Sequence, residues 1–145
     1  MVKFYCINKS RGPKNRKRLK VFLENLFNHE GCLLNRITYV FCNDEYLLKI
    51  NAEFLSHNYY TDIITFDLSA EKGGLIGEVY ISSDRVLENS NVHNVSFEQE
   101  MLRVMFHGAL HLIGFNDKTT TQRKLMRMAE DKYLKRCKKE VSRET

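Results

Sequence analysis

The feature that most constrains the fold is an apolar-rich run over Phe97–Ile113, which predicts a long helix that needs a neighbouring layer to pack against. Ser96 and Gln99 form a capping-box pattern at its start, and Gly114 is placed to end it. Hydrophobic residues make up 43% of the 145 residues, so one domain spanning 1–145 can bury a core without disulfides.

The remaining periodicities predict strands mainly in the first half of the chain and helices in the second. Predicted helices cover Arg16–His29, a segment capped by Asn43, 84–91 and 119–138, and predicted extended segments cover 2–7, 35–42, 61–66 and Leu75–Ser82. Residues 68–74 form either a hairpin or a loop. This order indicates an α+β fold, a single mixed β-sheet with helices packed on it. In the last helix, we expect Leu125, Met128, Ala129 and Leu134 to face the core.

The charge is unevenly distributed along the chain. Residues 1–20 carry eight Lys or Arg and no acid, and residues 118–139 carry nine Lys or Arg against two acids. Residues 21–117 carry five basic and fourteen acidic residues. Basic segments at both ends are typical of a nucleic-acid binder, although a solvated basic helix gives the same pattern.

The cysteines and the hydropathy bear on the compartment. Four cysteines without a CxxC pair, in a chain whose first residues lack a secretory apolar core, indicate reduced and buried thiols. No apolar run approaches the roughly 20 residues that a membrane helix needs. We therefore expect a cytoplasmic protein that does not enter the membrane.

Two histidines within the long predicted helix carry the chemical signal. His107 and His111 are one turn apart and lie on the same helix face, so their imidazoles can meet on one metal ion. Gly114 lets the chain turn, so that Asp117 can reach the same ion. Three protein ligands with one open position are typical of catalytic zinc. The sequence therefore predicts one Zn²⁺ per chain, held by His107, His111 and Asp117.

Two neighbouring positions refine this prediction. Zinc peptidases carry a Glu general base directly after the first histidine, but here that position is Gly108. Glu100 lies about two turns before His107 on the same face. It is either a partner that orients a histidine or a solvated helix residue.

The motifs together resemble those of the YbeY endoribonuclease family. HGALHLIGFND over residues 107–117 resembles the family signature HGxLHLxGYDH. TDIITF over 61–66 resembles its T-[ND]-V-L-S-F strand, and IGEVYIS over 76–82 resembles its GDI-x-IS strand. Asn51 and Phe54 resemble its N-x-x-[YF] element, and Glu100 falls where the family has a glutamate. The resemblance covers most of the chain.

The resemblance implies a metal-dependent endoribonuclease specific for single-stranded RNA, with its metal site in a cleft beside the sheet. It also implies roles in 16S rRNA 3′-end maturation and ribosome quality control, with rRNA and the ribosomal subunit as partners. The metal would activate water and polarise a phosphate oxygen, and either that water or the RNA 2′-hydroxyl would attack phosphorus.

Two positions depart from the family pattern. Asp117 stands where the family usually has a third histidine, and carboxylate oxygen is also a good zinc ligand. Leu55 stands where the family usually has an arginine that could hold phosphate, and His57 follows two residues later.

Two alternatives stay open. A metallopeptidase fits the HxxxHxxGxxD spacing but lacks the glutamate at Gly108, and Leu55 favours a non-catalytic rRNA or ribosome-assembly factor.

Overall fold

A computed structural model describes residues 1–57 and 59–141; residues 58 and 142–145 of the predicted domain lie outside the described part. The described residues form four strands and five helices, which confirms the α+β prediction. Their order is β1 (Val2–Cys6), α1 (Arg16–His29), β2 (Leu34–Cys42), α2 (Asp44–Leu55), β3 (Ile63–Asp67), β4 (Leu75–Ser82), α3 (Ser83–Val92), α4 (Phe97–Ile113) and α5 (Thr120–Glu140).

The strands form a single mixed sheet in the order β1-β2-β4-β3. β2 pairs in parallel with β1 and β4, whereas β3 pairs antiparallel with β4, with Thr65 opposite Val79. Residues 68–74 therefore connect two neighbouring antiparallel strands, which decides for the hairpin over the open loop. β3 lies at the edge of the sheet, next to the helix that carries the histidines.

Alternating side chains divide the molecule into two hydrophobic clusters. In β4, Val79 and Ile81 are completely buried in the main core, to which α1, α4 and α5 contribute. Tyr80, between them, points to the opposite face, where Leu47 and Ile50 of α2 form a smaller cluster. Two strand faces covered by helices match the layered arrangement expected of an α+β domain.

Helix α4 begins and ends where the sequence predicts. The Ser96 side chain accepts a hydrogen bond from the Gln99 backbone N–H at 3.1 Å, and Gly114, with φ of 133°, follows the last helical residue. The reciprocal bond of a capping box is found at α5 instead, between Thr119 and Gln122.

The predicted core face of α5 is partly wrong. Ala129 is buried and Leu134 is partly buried against the main core, but Leu125 and Met128 are 53% and 59% exposed. The buried stripe is Met126, Ala129, Glu130, Tyr133 and Cys137, offset from the predicted one. The reason is tertiary: α5 packs on both α4 and α1, and the Tyr133 ring meets Phe22 of α1 edge-on.

The four cysteines are free, as predicted, but only Cys42 and Cys137 are buried, and Cys6 is exposed. Within the described ranges, no helix combines the length and the apolar character needed to cross a membrane.

Candidate active site

A cavity of about 790 Å³ lies beside β3 and between α2, α4 and α5, and it collects the three predicted metal ligands. His107 and His111 reach it from one face of α4, while Met101, Met105 and Ala109 on the other faces of the helix are fully buried. The i, i+4 spacing therefore places both imidazoles on the cavity side, as the sequence predicts.

Gly108, between the two histidines, faces the sheet rather than the cavity. A Cβ atom at this position would lie 2.9 Å from Ile63 Cδ1 and 3.0 Å from Val79 Cγ1. The absence of a side chain lets α4 approach β3 and β4 closely enough to hold His107 beside the sheet. The residue directly after the first histidine is thus packed against strands, away from any substrate in the cavity.

The turn after α4 brings Asp117 back to the helix. The backbone N–H of Gly114 and that of Phe115 both bond to the Leu110 carbonyl, at 3.1 and 3.0 Å, which closes the helix end. The Asp117 Oδ2 atom then lies 3.4 Å from His107 Nε2. Arg123 holds this turn from α5 by donating to the carbonyls of Asp117 and Lys118 at 3.4 and 2.9 Å.

Glu130 of α5 is the partner of His107 that the sequence interpretation missed. Its Oε2 atom lies 2.7 Å from His107 Nδ1, and its Oε1 atom accepts a 2.9 Å hydrogen bond from Arg103. Arg103 also donates to Asp131 at 2.7 Å. Glu130 is only 5% exposed. When His107 is protonated, each oxygen of this buried carboxylate bonds a positively charged side chain.

The His107 pKa reflects these neighbours. Burial alone would lower it, but the hydrogen bond and charge of Glu130, with the charges of Asp117 and Asp62, raise the pKa of His107 above its ordinary value. When His107 is neutral, a proton on Nδ1 satisfies Glu130 and leaves the Nε2 lone pair facing Asp117. A histidine whose second ring nitrogen is held by a carboxylate is the usual arrangement of a zinc-ligating histidine.

The donor set suits zinc, but its three members do not yet converge. Across residues 1–57 and 59–141, no three His, Cys, Asp or Glu side chains lie close enough together to hold a metal ion. His107 and Asp117 are together, whereas His111 lines the same cavity and is exposed. The chemical types of the three side chains and the contact between Glu130 and His107 thus fit a zinc site. Bringing all three side chains onto one ion requires side-chain movement.

Glu100 matches neither of its two predicted roles. Its side chain is 6% exposed, so it is not solvated, and its Oε1 atom lies 3.6 Å from His93 Nδ1 rather than beside His107. It lines the end of the cavity. The role of orienting a histidine, which the sequence suggested for Glu100, falls to Glu130, which bonds His107.

Among the described residues that line the wall formed by α2 and the segment after it, none is an arginine or a lysine. Leu55, 39% exposed, lines this wall where the family motif usually has arginine. His57 also lines it, and its Nδ1 atom lies 3.0 Å from the Tyr59 hydroxyl. Asn51 is buried and donates to the Tyr59 carbonyl at 2.9 Å, which fixes this wall.

Asp62, at the start of β3, is a second carboxyl group in the cavity that the sequence interpretation did not single out. Burial raises its pKa, although its own backbone amide, His107 and Arg85 act in the opposite direction. Carboxyl groups with raised pKa values in clefts are frequent proton carriers in enzymes.

Fold and site together define a class: α+β proteins with a mixed sheet and an HxxxH helix whose first histidine is held by a buried carboxylate.

The family model described as "Endoribonuclease YbeY" matches residues 7–138. The Endoribonuclease YbeY of Cytophaga hutchinsonii is 43% identical over 121 residues, which is 83% of this chain and 85% of that protein. That of Christiangramia forsetii is 45% identical over 113 residues, 78% of each chain.

A Thermotoga maritima protein solved in solution shares the fold, with a TM-score of 0.68 and 30% identity over 97% of this chain and 91% of that one. The chain belongs to the YbeY endoribonuclease family.

Proposed function

We propose that the protein is an endoribonuclease that cleaves single-stranded RNA in the cavity between α2, α4 and α5. The observation that carries the proposal is His107, held by Glu130 on one ring nitrogen and facing Asp117 with the other, in a protein of this family. An arrangement that fixes an imidazole on both sides prepares a site for chemistry rather than for packing alone.

We further propose that His107, His111 and Asp117 would hold one Zn²⁺ per chain. A zinc ion there would supply an activated water and neutralise charge on a phosphate oxygen. Glu130 orients His107 and keeps its Nε2 atom toward the cavity. Asp62 lines the same cavity and, with its raised pKa, is placed to carry the proton that the leaving oxygen takes up.

The fold supports RNA as the substrate. The basic residues 1–20 and 118–139 are distant in sequence, but α1 and α5 pack against each other, and Arg18 donates to the Glu140 carbonyl at 3.3 Å. The basic start of α1 therefore lies next to the basic end of α5. Contacts of this kind bind the phosphate backbone without reading bases. The finer roles that we propose are maturation of the 16S rRNA 3′ end and ribosome quality control in the cytoplasm, with the ribosomal subunit as partner.

The position of Gly108 argues against the metallopeptidase alternative. A glutamate there would collide with Ile63 and Val79 of the sheet and would not face a metal-bound water. The non-catalytic assembly factor remains an alternative that a cleavage assay separates from the enzyme.

The deciding experiment combines metal analysis with RNA cleavage. Purified protein should contain about one zinc per chain and should cleave a labelled single-stranded RNA until a chelator is added. The double variant His107→Ala/His111→Ala should lose both metal and cleavage. The control is His29→Ala/His93→Ala, because these histidines are exposed and lie outside the cavity.

Full retention of zinc in the His107→Ala/His111→Ala variant would place the metal elsewhere. RNA binding without cleavage would favour the assembly factor, and casein cleavage without RNA cleavage would favour the peptidase.

A further inference from the structure

Acidic side chains outnumber the arginines that line the cavity, so an RNA phosphate needs a free side-chain cation there in addition to the proposed zinc ion. Four acidic side chains line the cavity: Asp62, Glu100, Asp117 and Glu130. Three arginines line it as well: Arg103, Arg123 and Arg127. An RNA strand that enters brings further negative charge, so a positive group must face it.

Two of the three arginines are already engaged. Arg103 donates to Glu130 at 2.9 Å and to Asp131 at 2.7 Å, and its side chain is only 15% exposed. Arg123 donates to the backbone carbonyls that hold the turn around Asp117. Both guanidinium groups therefore serve the structure of the site and have little capacity left for a ligand.

Arg127 differs from both. It lies one turn after Arg123 and three residues before Glu130, so the same face of α5 presents all three to the cavity. Arg127 is exposed, and its guanidinium forms no hydrogen bond or ion pair with another residue in the described ranges. A planar guanidinium in this state can donate two parallel hydrogen bonds to a phosphate.

In the part of the chain that the structure describes, the α2 wall of the cavity contains no arginine or lysine. Leu55, Asn51 and His57 line it, and Leu55 is 39% exposed. Among the described residues that line the cavity, the guanidinium left free for a phosphate therefore lies on α5.

We propose that Arg127 binds the phosphodiester of the RNA strand held in the cavity, beside His107 and Asp117. This role rests on the proposed nuclease function and names the residue that secures the substrate there. It also assigns to α5 two tasks on one face, since Glu130 orients the histidine and Arg127 receives the phosphate.

The test compares Arg127→Ala with Lys72→Ala on one labelled single-stranded RNA oligonucleotide. Lys72 is the control because it is exposed and basic but belongs to neither basic segment and does not line the cavity. Arg127→Ala should lower kcat/KM by about 100-fold, within the range for removal of one donor to developing charge. Lys72→Ala should change kcat/KM by less than about twofold, since a surface charge away from the cavity contributes only to the long-range attraction of the strand. Both variants should keep the wild-type thermal midpoint.

A second variant moves the cation to the other wall. Leu55→Arg in the Arg127→Ala background should recover at least about tenfold in kcat/KM, because the cavity again contains an unpaired guanidinium. A double variant no better than Arg127→Ala, or an Arg127→Ala enzyme as active as Lys72→Ala, would overturn the assignment. Failure of the wild-type protein to cleave the oligonucleotide would instead refute the nuclease function and the Arg127 role with it.

Discussion

Replacing Glu130 by glutamine tests the central contact of the site without changing its shape. Glu130 accepts from Arg103 and bonds His107, and both contacts are buried or nearly so. Hydrogen bonds to charged groups contribute roughly 1 kcal/mol more than neutral ones, so two weakened bonds cost about 2 kcal/mol. For a chain of this size, that loss lowers the Tm by about 6 °C.

The same substitution predicts a dependence on pH. The pKa of His107 is raised in the folded protein, so the His107–Glu130 pair contributes its full share to the free energy of unfolding below the unfolded pKa of about 6.5. This contribution is lost as the pH rises through the higher pKa that His107 has in the folded protein. Glu130→Gln removes the main group that raises this pKa. The penalty should therefore be largest near pH 6 and should shrink toward pH 9.

The assay is thermal and denaturant unfolding of chelator-treated protein across this pH range, with Asp131→Asn as control. Asp131 also bonds Arg103, but its side chain is 57% exposed and does not contact His107. Its neutralisation should cost under about 1 kcal/mol, with no such dependence on pH. Equal penalties for the two variants, or a Glu130→Gln penalty that does not change with pH, would refute the argument.

The remaining predictions concern the ligands, the packing and the substrate. Asp117→Ala should weaken zinc binding in a metal titration, and unchanged affinity would show that Asp117 is not a ligand. Asp117→His should keep zinc and move the midpoint of the pH–rate profile downward, because a neutral ligand leaves the metal more positive. Gly108→Ala should lower the free energy of unfolding by about 1 kcal/mol, because the crowding of its Cβ against Ile63 and Val79 outweighs the better helix propensity of alanine. A variant more stable than the wild type would contradict this. Asp62→Asn should raise the Tm at neutral pH but slow RNA cleavage, because a carboxyl group with raised pKa costs stability when ionised; a lower Tm would contradict the sign. RNA binding should weaken steeply as salt rises, as a filter-binding titration can measure, and salt-independent binding would exclude a contact led by phosphates.

The sequence by itself determined the order of the elements and the position of two of the three predicted ligands on one face. The apolar period over Phe97–Ile113, with Ser96 before it and Gly114 after it, predicts α4 to the residue. Helical spacing then requires that His107 and His111 share a face. These features are local, because capping and periodicity depend on residues within a few positions of one another.

Only the tertiary structure decided which side of α5 is buried and what that side does. Leu125, Met128 and Ala129 form one helically spaced stripe, and Met126, Ala129 and Tyr133 form another, so periodicity cannot choose between them. Packing against α1 and α4 chooses the second.

That choice buries Glu130 against a histidine 23 residues earlier in the chain and presents Arg127 to the cavity. In the sequence, both residues belong to a charged stretch that looks solvated. A buried carboxylate requires a partner, and the partner comes from another helix, so the contact exists only once α4 and α5 have packed.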